Sequence, residues 1–101
     1  MQARLGRADL HRAFGQVLDN LRLLVGAGYV HADLSAYNLL WWRGQVWLID
    51  FPQAVDLTTN LHAFDFLHDD VLNVCTWFGR RGVDVDAGAI YSDLAALACT
   101  F

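Results

Sequence analysis

The 101-residue chain contains no lysine and no glutamate. Its seven basic residues are all arginine, and its eleven acidic residues are all aspartate. A phosphate clamp made of a lysine and its paired glutamate cannot be assembled from such a chain alone. Glycine offers no substitute, because the eight glycines are scattered and form no Gly-rich phosphate loop. The two cysteines, Cys75 and Cys99, lie far apart, each inside a helical pattern. This usage reads as buried free thiols in a cytoplasmic protein rather than a disulfide framework. No apolar run approaches the ~18 residues of a membrane span. The opening MQARLGRADL lacks the apolar core of a secretory signal. A net charge of −4 with no basic stripe argues against direct nucleic-acid binding.

What is present fits one small globular domain, with hydrophobic residues at 55% and charged residues at 18%. The organising stretch is His31–Asp50, HADLSAYNLLWWRGQVWLID. It sets Asp33, Asn38 and Asp50 among strongly apolar neighbours, and Asp33 and Asn38 have the spacing H-x-D-x-x-x-x-N with His31. Phosphoryl transfer needs positioning and charge neutralisation more than covalent help. Mg²⁺ neutralises phosphate charge and takes hard oxygen ligands, usually one or two carboxylates with phosphate oxygens. Asp50 is a candidate carboxylate ligand, and Asn38 offers a neutral amide oxygen. Asp33 would face the attacking hydroxyl, accepting its proton or orienting it.

The spacing predicts how these residues meet. Asn38–Trp42 and Gln45–Ile49 read as two strands joined at Arg43-Gly44, with Gly44 supplying positive φ. Trp42 then faces Gln45, Leu40 faces Trp47 and Asn38 faces Ile49, so Asn38 and Asp50 reach the same open end. Leu39, Trp41, Val46 and Leu48 occupy one face. Leu40, Trp42, Trp47 and Ile49 occupy the other, and both faces need covering if no large apolar patch is to be left.

His31-Ala32-Asp33-Leu34-Ser35-Ala36-Tyr37-Asn38, followed by Ile49-Asp50-Phe51-Pro52-Gln53-Ala54, resembles the catalytic and metal loops of the RIO family of atypical serine/threonine kinases. Ser35 stands where ordinary kinases usually have lysine, and Pro52-Gln53 replaces the glycine of D-F-G. Asp70-Val71-x-Asn73 and Phe78-x-x-x-Gly82-Val83 resemble the helix that follows. The likeness runs over about residues 10 to 86. It implies an α+β, kinase-like C-terminal lobe, mainly helical, around a buried β-hairpin that carries both loops. Residues 1–101 would be a partial RIO-type domain without its N-terminal lobe. The resemblance implies Asp33 as proton acceptor and Asp50 as Mg²⁺ ligand and acceptor of phosphate as an aspartyl-phosphate. It also implies Asn38 as second metal ligand, Ser35, Asn38 and Asp50 at the cofactor site, and ATP as co-substrate. Two alternatives stand beside it. One is a small-molecule kinase like the aminoglycoside phosphotransferases. The other is an inactive truncated lobe that binds a partner through an uncovered apolar surface.

The remaining segments read as support. Residues 9–27 form a helix with Leu10, Phe14, Val17, Leu18, Leu21, Leu24 and Val25 on one stripe, Asp9 as N-cap and Gly26 or Gly28 at the end. His31 reads as a packed, hydrogen-bonded structural histidine. His11, His31, His62 and His68 lack zinc-ligand spacing. Residues 54–60 form a short connection, with neither the long activation segment nor the A-P-E motif of ordinary kinases. Leu61–Gly79 is a helix capped by Asn60 or Thr59. Asp65, Asp69 and Asp70 favour its dipole, with Arg80-Arg81 at its C-terminal end. Asp70 and Asn73 read as structural. Asp86 caps a last helix with Ile90, Leu94, Leu97, Ala98 and Phe101 on its apolar side.

Overall fold

A computed structural model of the chain describes residues 4–49 and 54–99. Asp50, Phe51, Pro52, Gln53 and Phe101 lie outside the described residues. The element order is α1 (Arg7–Gly26), β1 (Tyr29–Val30), a 3₁₀ turn (Ala36–Asn38), β2 (Leu39–Trp42), β3 (Gln45–Leu48), β4 (Val55–Asp56), α2 (Ala63–Gly79) and α3 (Ala87–Ala98). Among the described residues the fold is α+β, with three α-helices and two small antiparallel sheets.

Helix α1 buries Leu10, Ala13, Phe14, Val17, Leu21 and Val25. These fall at three- and four-residue steps, so one stripe reaches the core while Asp9, Arg12, Asp19 and Arg22 stay outside. The helix begins earlier than Asp9. Gly6 is the N-cap, with no side-chain cap bond, and Asp9 sits in the first turn, where its charge meets the positive end of the dipole. Past the helix end, Gly28 takes a φ of 92°, which frees the chain to turn into β1.

Helix α2 buries Leu67, Val71, Val74, Cys75 and Phe78. Its first residue is Ala63, with His62 as N-cap. Asn60 acts just upstream, its Oδ1 accepting from the His62 amide at 2.8 Å. The ring of Phe78 meets that of Phe14 with centroids 5.1 Å apart, joining α2 to α1. Helix α3 packs on both other helices. Asp86 caps it as the spacing predicts, accepting from the Ala89 amide at 3.0 Å. Cys75 is buried, and burial pushes its thiol up. Cys99, expected to be buried, is exposed because it lies past the last helical turn.

The hairpin has the expected register: Trp42 faces Gln45, Leu40 faces Trp47, and Leu39 faces Leu48. The pairing continues one step, since the Ile49 amide donates to the Asn38 carbonyl at 2.9 Å. The turn needs positive φ at both central residues, and Arg43 at 52° adopts it as well as Gly44 at 73°. Gln16 of α1 fastens the hairpin. Its Nε2 donates to the Gly44 carbonyl at 3.0 Å, and its Oε1 accepts from the Val46 amide at 2.8 Å.

The hairpin is buried on one face only. Leu39 and Val46 are in the core, and Trp41 and Leu48 pack against it. Leu40, Trp42, Trp47 and Ile49 are 41–54% exposed. Helix α1 packs on the hairpin from the inner side, and the outer face stays about half exposed. The 54–60 connection also differs from expectation, because Val55–Asp56 forms β4 and pairs with β1.

Candidate functional site

The loop between β1 and β2 is short, polar and fully tied down. His31 is completely buried. Its Nε2 lies 2.9 Å from the Ile49 carbonyl, and its Nδ1 lies 3.3 Å from the Asp33 amide. A carbonyl only accepts and an amide only donates, so a ring with its proton on Nε2 satisfies both bonds. The histidine thus joins the loop to the end of β3, one residue before Asp50. This is the structural role expected of it.

Asp70 organises the loop from beneath. It is 1% exposed, on the same face of α2 as the buried Leu67, Val71 and Val74. Its Oδ2 accepts from the Ala32 amide at 2.8 Å and its Oδ1 from the Leu34 amide at 2.9 Å. One turn later, Asn73 Nδ2 donates to the Leu34 carbonyl at 3.2 Å. The two side chains hold the peptide groups on either side of Asp33. Ala32 itself sits at a φ of 74°, a region that costs a non-glycine residue roughly 1–2 kcal/mol. Burial pushes the Asp70 carboxyl above its usual range, partly offset by the Leu34 and Ala32 amides. The nearby Asp33 charge pushes it the same way. Asp70 therefore does more than complement the helix dipole. An acid on the apolar stripe of α2, followed three residues later by Asn73, was the signal available in the sequence.

With its backbone held and Leu34 completely buried beside it, Asp33 presents an exposed side chain. The rest of the loop closes on Asn38. The Asn38 Oδ1 accepts from the Ser35 amide and the Ser35 hydroxyl, each at 3.1 Å, and the Ser35 Oγ accepts from the Tyr37 amide at 3.3 Å. This reciprocal capping box makes the 3₁₀ turn that delivers Asn38 to the start of β2.

The structure thus brings Asp33, Ser35 and Asn38 into one loop, while Asp50 lies outside the described residues. Among the described residues no cluster of three His, Cys, Asp or Glu side chains forms a metal site. Carboxylate and amide oxygens are the hard donors that Mg²⁺ prefers. The Asn38 oxygen is engaged by Ser35, so holding a cation would require Asn38 to share or release the Ser35 hydroxyl.

Comparison with known proteins fits this arrangement. The family model described as the RIO domain matches residues 2–90. The chain belongs to the RIO domain family, a family of protein-kinase-like proteins. It is 41% identical over 83 residues to "Serine/threonine-protein kinase RIO3" of Homo sapiens, covering 81% of this chain and 16% of that protein. It is 40% identical over 77 residues to "RIO-type serine/threonine-protein kinase Rio1" of Thermoplasma acidophilum, covering 76% of this chain and 40% of that protein. For the protein of the same name in Haloferax volcanii the figures are 40% over 79 residues, 78% and 27%. The matched stretch thus spans between 16% and 40% of the length of these relatives. No helix among the described residues is long and apolar enough to cross a membrane.

Proposed function

We propose that this chain supplies the catalytic and metal loops of a RIO-type kinase that transfers the γ-phosphoryl group of ATP to protein serine or threonine, or hydrolyses ATP as a switch. The observation that carries the reading is the Asp70 clamp, whose bonds to the amides of Ala32 and Leu34 bracket Asp33 and leave its side chain exposed. Asp33 accepts or orients the proton of the attacking hydroxyl. Asn38 and Asp50 hold Mg²⁺, which when bound neutralises triphosphate charge. Asp50 is also the acceptor if phosphate passes to the protein. Ser35 shapes the cofactor side of the loop through its bonds to Asn38. The relatives named above are called protein kinases, which favours a protein acceptor over a small molecule. The two free cysteines, Cys75 and Cys99, favour a cytoplasmic location.

With no lysine and no glutamate, the 101-residue chain lacks half of a nucleotide cleft. We expect the purified chain to transfer little or no phosphate. Robust Mg²⁺-dependent transfer that disappears in Asp33→Ala and Asp50→Ala would overturn that expectation. The positive test is a chimera in which the chain replaces the matching stretch of the Thermoplasma Rio1. There Asp33→Asn lowers kcat about 10²–10⁴-fold with folding intact. An active Asp33→Asn chimera would remove Asp33 from the chemistry.

The exposed Leu40, Trp42, Trp47 and Ile49 favour a second reading, in which the chain binds a partner through the outer hairpin face. An N-terminal lobe or another protein would cover it. Light scattering separates the two: self-association that Trp42→Thr and Trp47→Thr abolish supports a docking face, and a monomer at all concentrations weakens it.

A further inference from the structure

We propose that an open cavity of about 1060 Å³, between the loop and the C-terminal half of α2, recognises an anionic side chain on an extended protein segment. Ser35 and Tyr37 line it on the loop side, Asn73, Thr76 and Trp77 line it on α2, and Arg80 and Arg81 line it just past the helix end. The chain as a whole carries eleven aspartates against seven arginines, yet this cavity is lined by two arginines and no acid. Neither guanidinium is paired with a carboxylate among the described residues. Arg81 is already oriented. Its guanidinium lies 3.6 Å over the Trp77 ring and donates to the Trp77 carbonyl at 3.0 Å. A planar fork held in place loses less freedom when it binds a carboxylate or phosphate.

The helix fixes the distance. Asn73, Thr76 or Trp77, and Arg80 follow one another at helical steps on one face. Asn73 is bonded to the loop beside Asp33, and Arg80 lies about 10 Å further along the axis. An extended peptide covers that span in about three residues. Resting on the reading of Asp33 given above, the preferred acceptor is a serine or threonine with an anionic residue about three positions away. Tyr37, 83% exposed, and Leu72, 46% exposed, offer apolar contact to the intervening residues. A polynucleotide fits less well, because two guanidinium groups on a chain of net charge −4 form no track for successive phosphates.

The probes are fluorescein-labelled dodecapeptides with one serine and, three residues to either side, phosphoserine, aspartate or asparagine. Anisotropy with the 101-residue chain should show the phosphorylated and aspartate peptides binding about five- to tenfold more tightly than the asparagine peptide. Arg80→Glu should abolish that preference, Arg80→Gln should reduce it, and Arg80→Lys should retain most of it. A phosphoserine preference far above the aspartate one identifies a phosphorylated source, and near-equality identifies an acidic one. Equal affinity for all three peptides, no binding, or an unchanged preference in a folded Arg80→Glu overturns the proposal. So does a 12-nucleotide RNA that outcompetes the phosphopeptide with the same Arg80 dependence. Asp33→Asn should leave the anion preference intact, so failure of the Asp33 reading would show in turnover and not in this binding. In the chimera, kcat/KM should peak with the anion three positions from the serine, and a flat profile would overturn the spacing.

Discussion

The loop of residues 31–38 and the outer face of the hairpin that follows it are neighbours in the chain but are held in opposite ways. In the loop, polar groups find partners inside the protein: His31 on Ile49 and Asp33, Asp70 on Ala32 and Leu34, and Ser35 on Asn38. On the outer hairpin face, two tryptophans, a leucine and an isoleucine stand about half exposed. Burial of polar groups demands specific partners, and exposure of apolar groups demands none, so the two regions respond differently to substitution. The loop's geometry is set by bonds within the chain, whereas the outer face is left about half exposed among the described residues.

The sharpest way to break this contrast is Asp70→Ala. It leaves the buried Leu34 amide and the half-buried Ala32 amide without acceptors, at a cost of up to roughly 1–3 kcal/mol each. We expect a loss of about 2–4 kcal/mol in urea unfolding, a large part of a small domain's stability. A loss under about 0.5 kcal/mol would show that the clamp is dispensable. Next comes Gln16→Ala, which removes both bonds from α1 to the hairpin turn. Its expected cost is about 1–2 kcal/mol, with the loop amides still protected.

The third test uses pH. The Asp70 carboxyl is raised in the folded protein, so folding favours its protonated form. Its contribution is fully present below the usual carboxylate range and is lost as pH rises through the raised value. Asp70→Asn should flatten that component of the pH–stability curve, and an unchanged curve would assign it elsewhere. The smallest effect is expected on the outer hairpin face. Trp42→Thr should change stability by about 0.5 kcal/mol or less, apart from the contact of Arg43 over its ring at 4.4 Å. A loss above about 2 kcal/mol would mean that this face is already part of the core.

Local rules were enough for much of this architecture. The α1 stripe follows from residue steps alone. The hairpin register follows from a two-residue turn flanked by apolar strands, and Asp86 from its place before an apolar helix. Long-range geometry was not legible in the same way. Asp70 looks like one of several acids near a helix start, and only the docking of α2 under the loop reveals its partners. Gln16 has no motif, because its partners depend on where the hairpin lands. The pairing of Val55–Asp56 with Tyr29–Val30 is too short to register as a pattern. Exposure of the outer face could not be read either, since strand alternation separates two faces without saying which is covered. Of the candidate site, the sequence marked Asp33, Ser35 and Asn38 and read Asp70 as structural, without its bonds to the Ala32 and Leu34 amides.

The Asp70 clamp joins residues 36 and 38 positions apart. Closing so wide a loop costs entropy before any bond is gained. The clamp exists only when the helix containing Asp70 is docked against the segment around Asp33. During synthesis, a ribosome that has delivered His31–Asn38 but not yet α2 has made a chain without this arrangement. A chain that ends upstream of α2 therefore lacks the acceptors for the Ala32 and Leu34 amides. Hydrogen exchange at the Ala32 and Leu34 amides would time the docking directly.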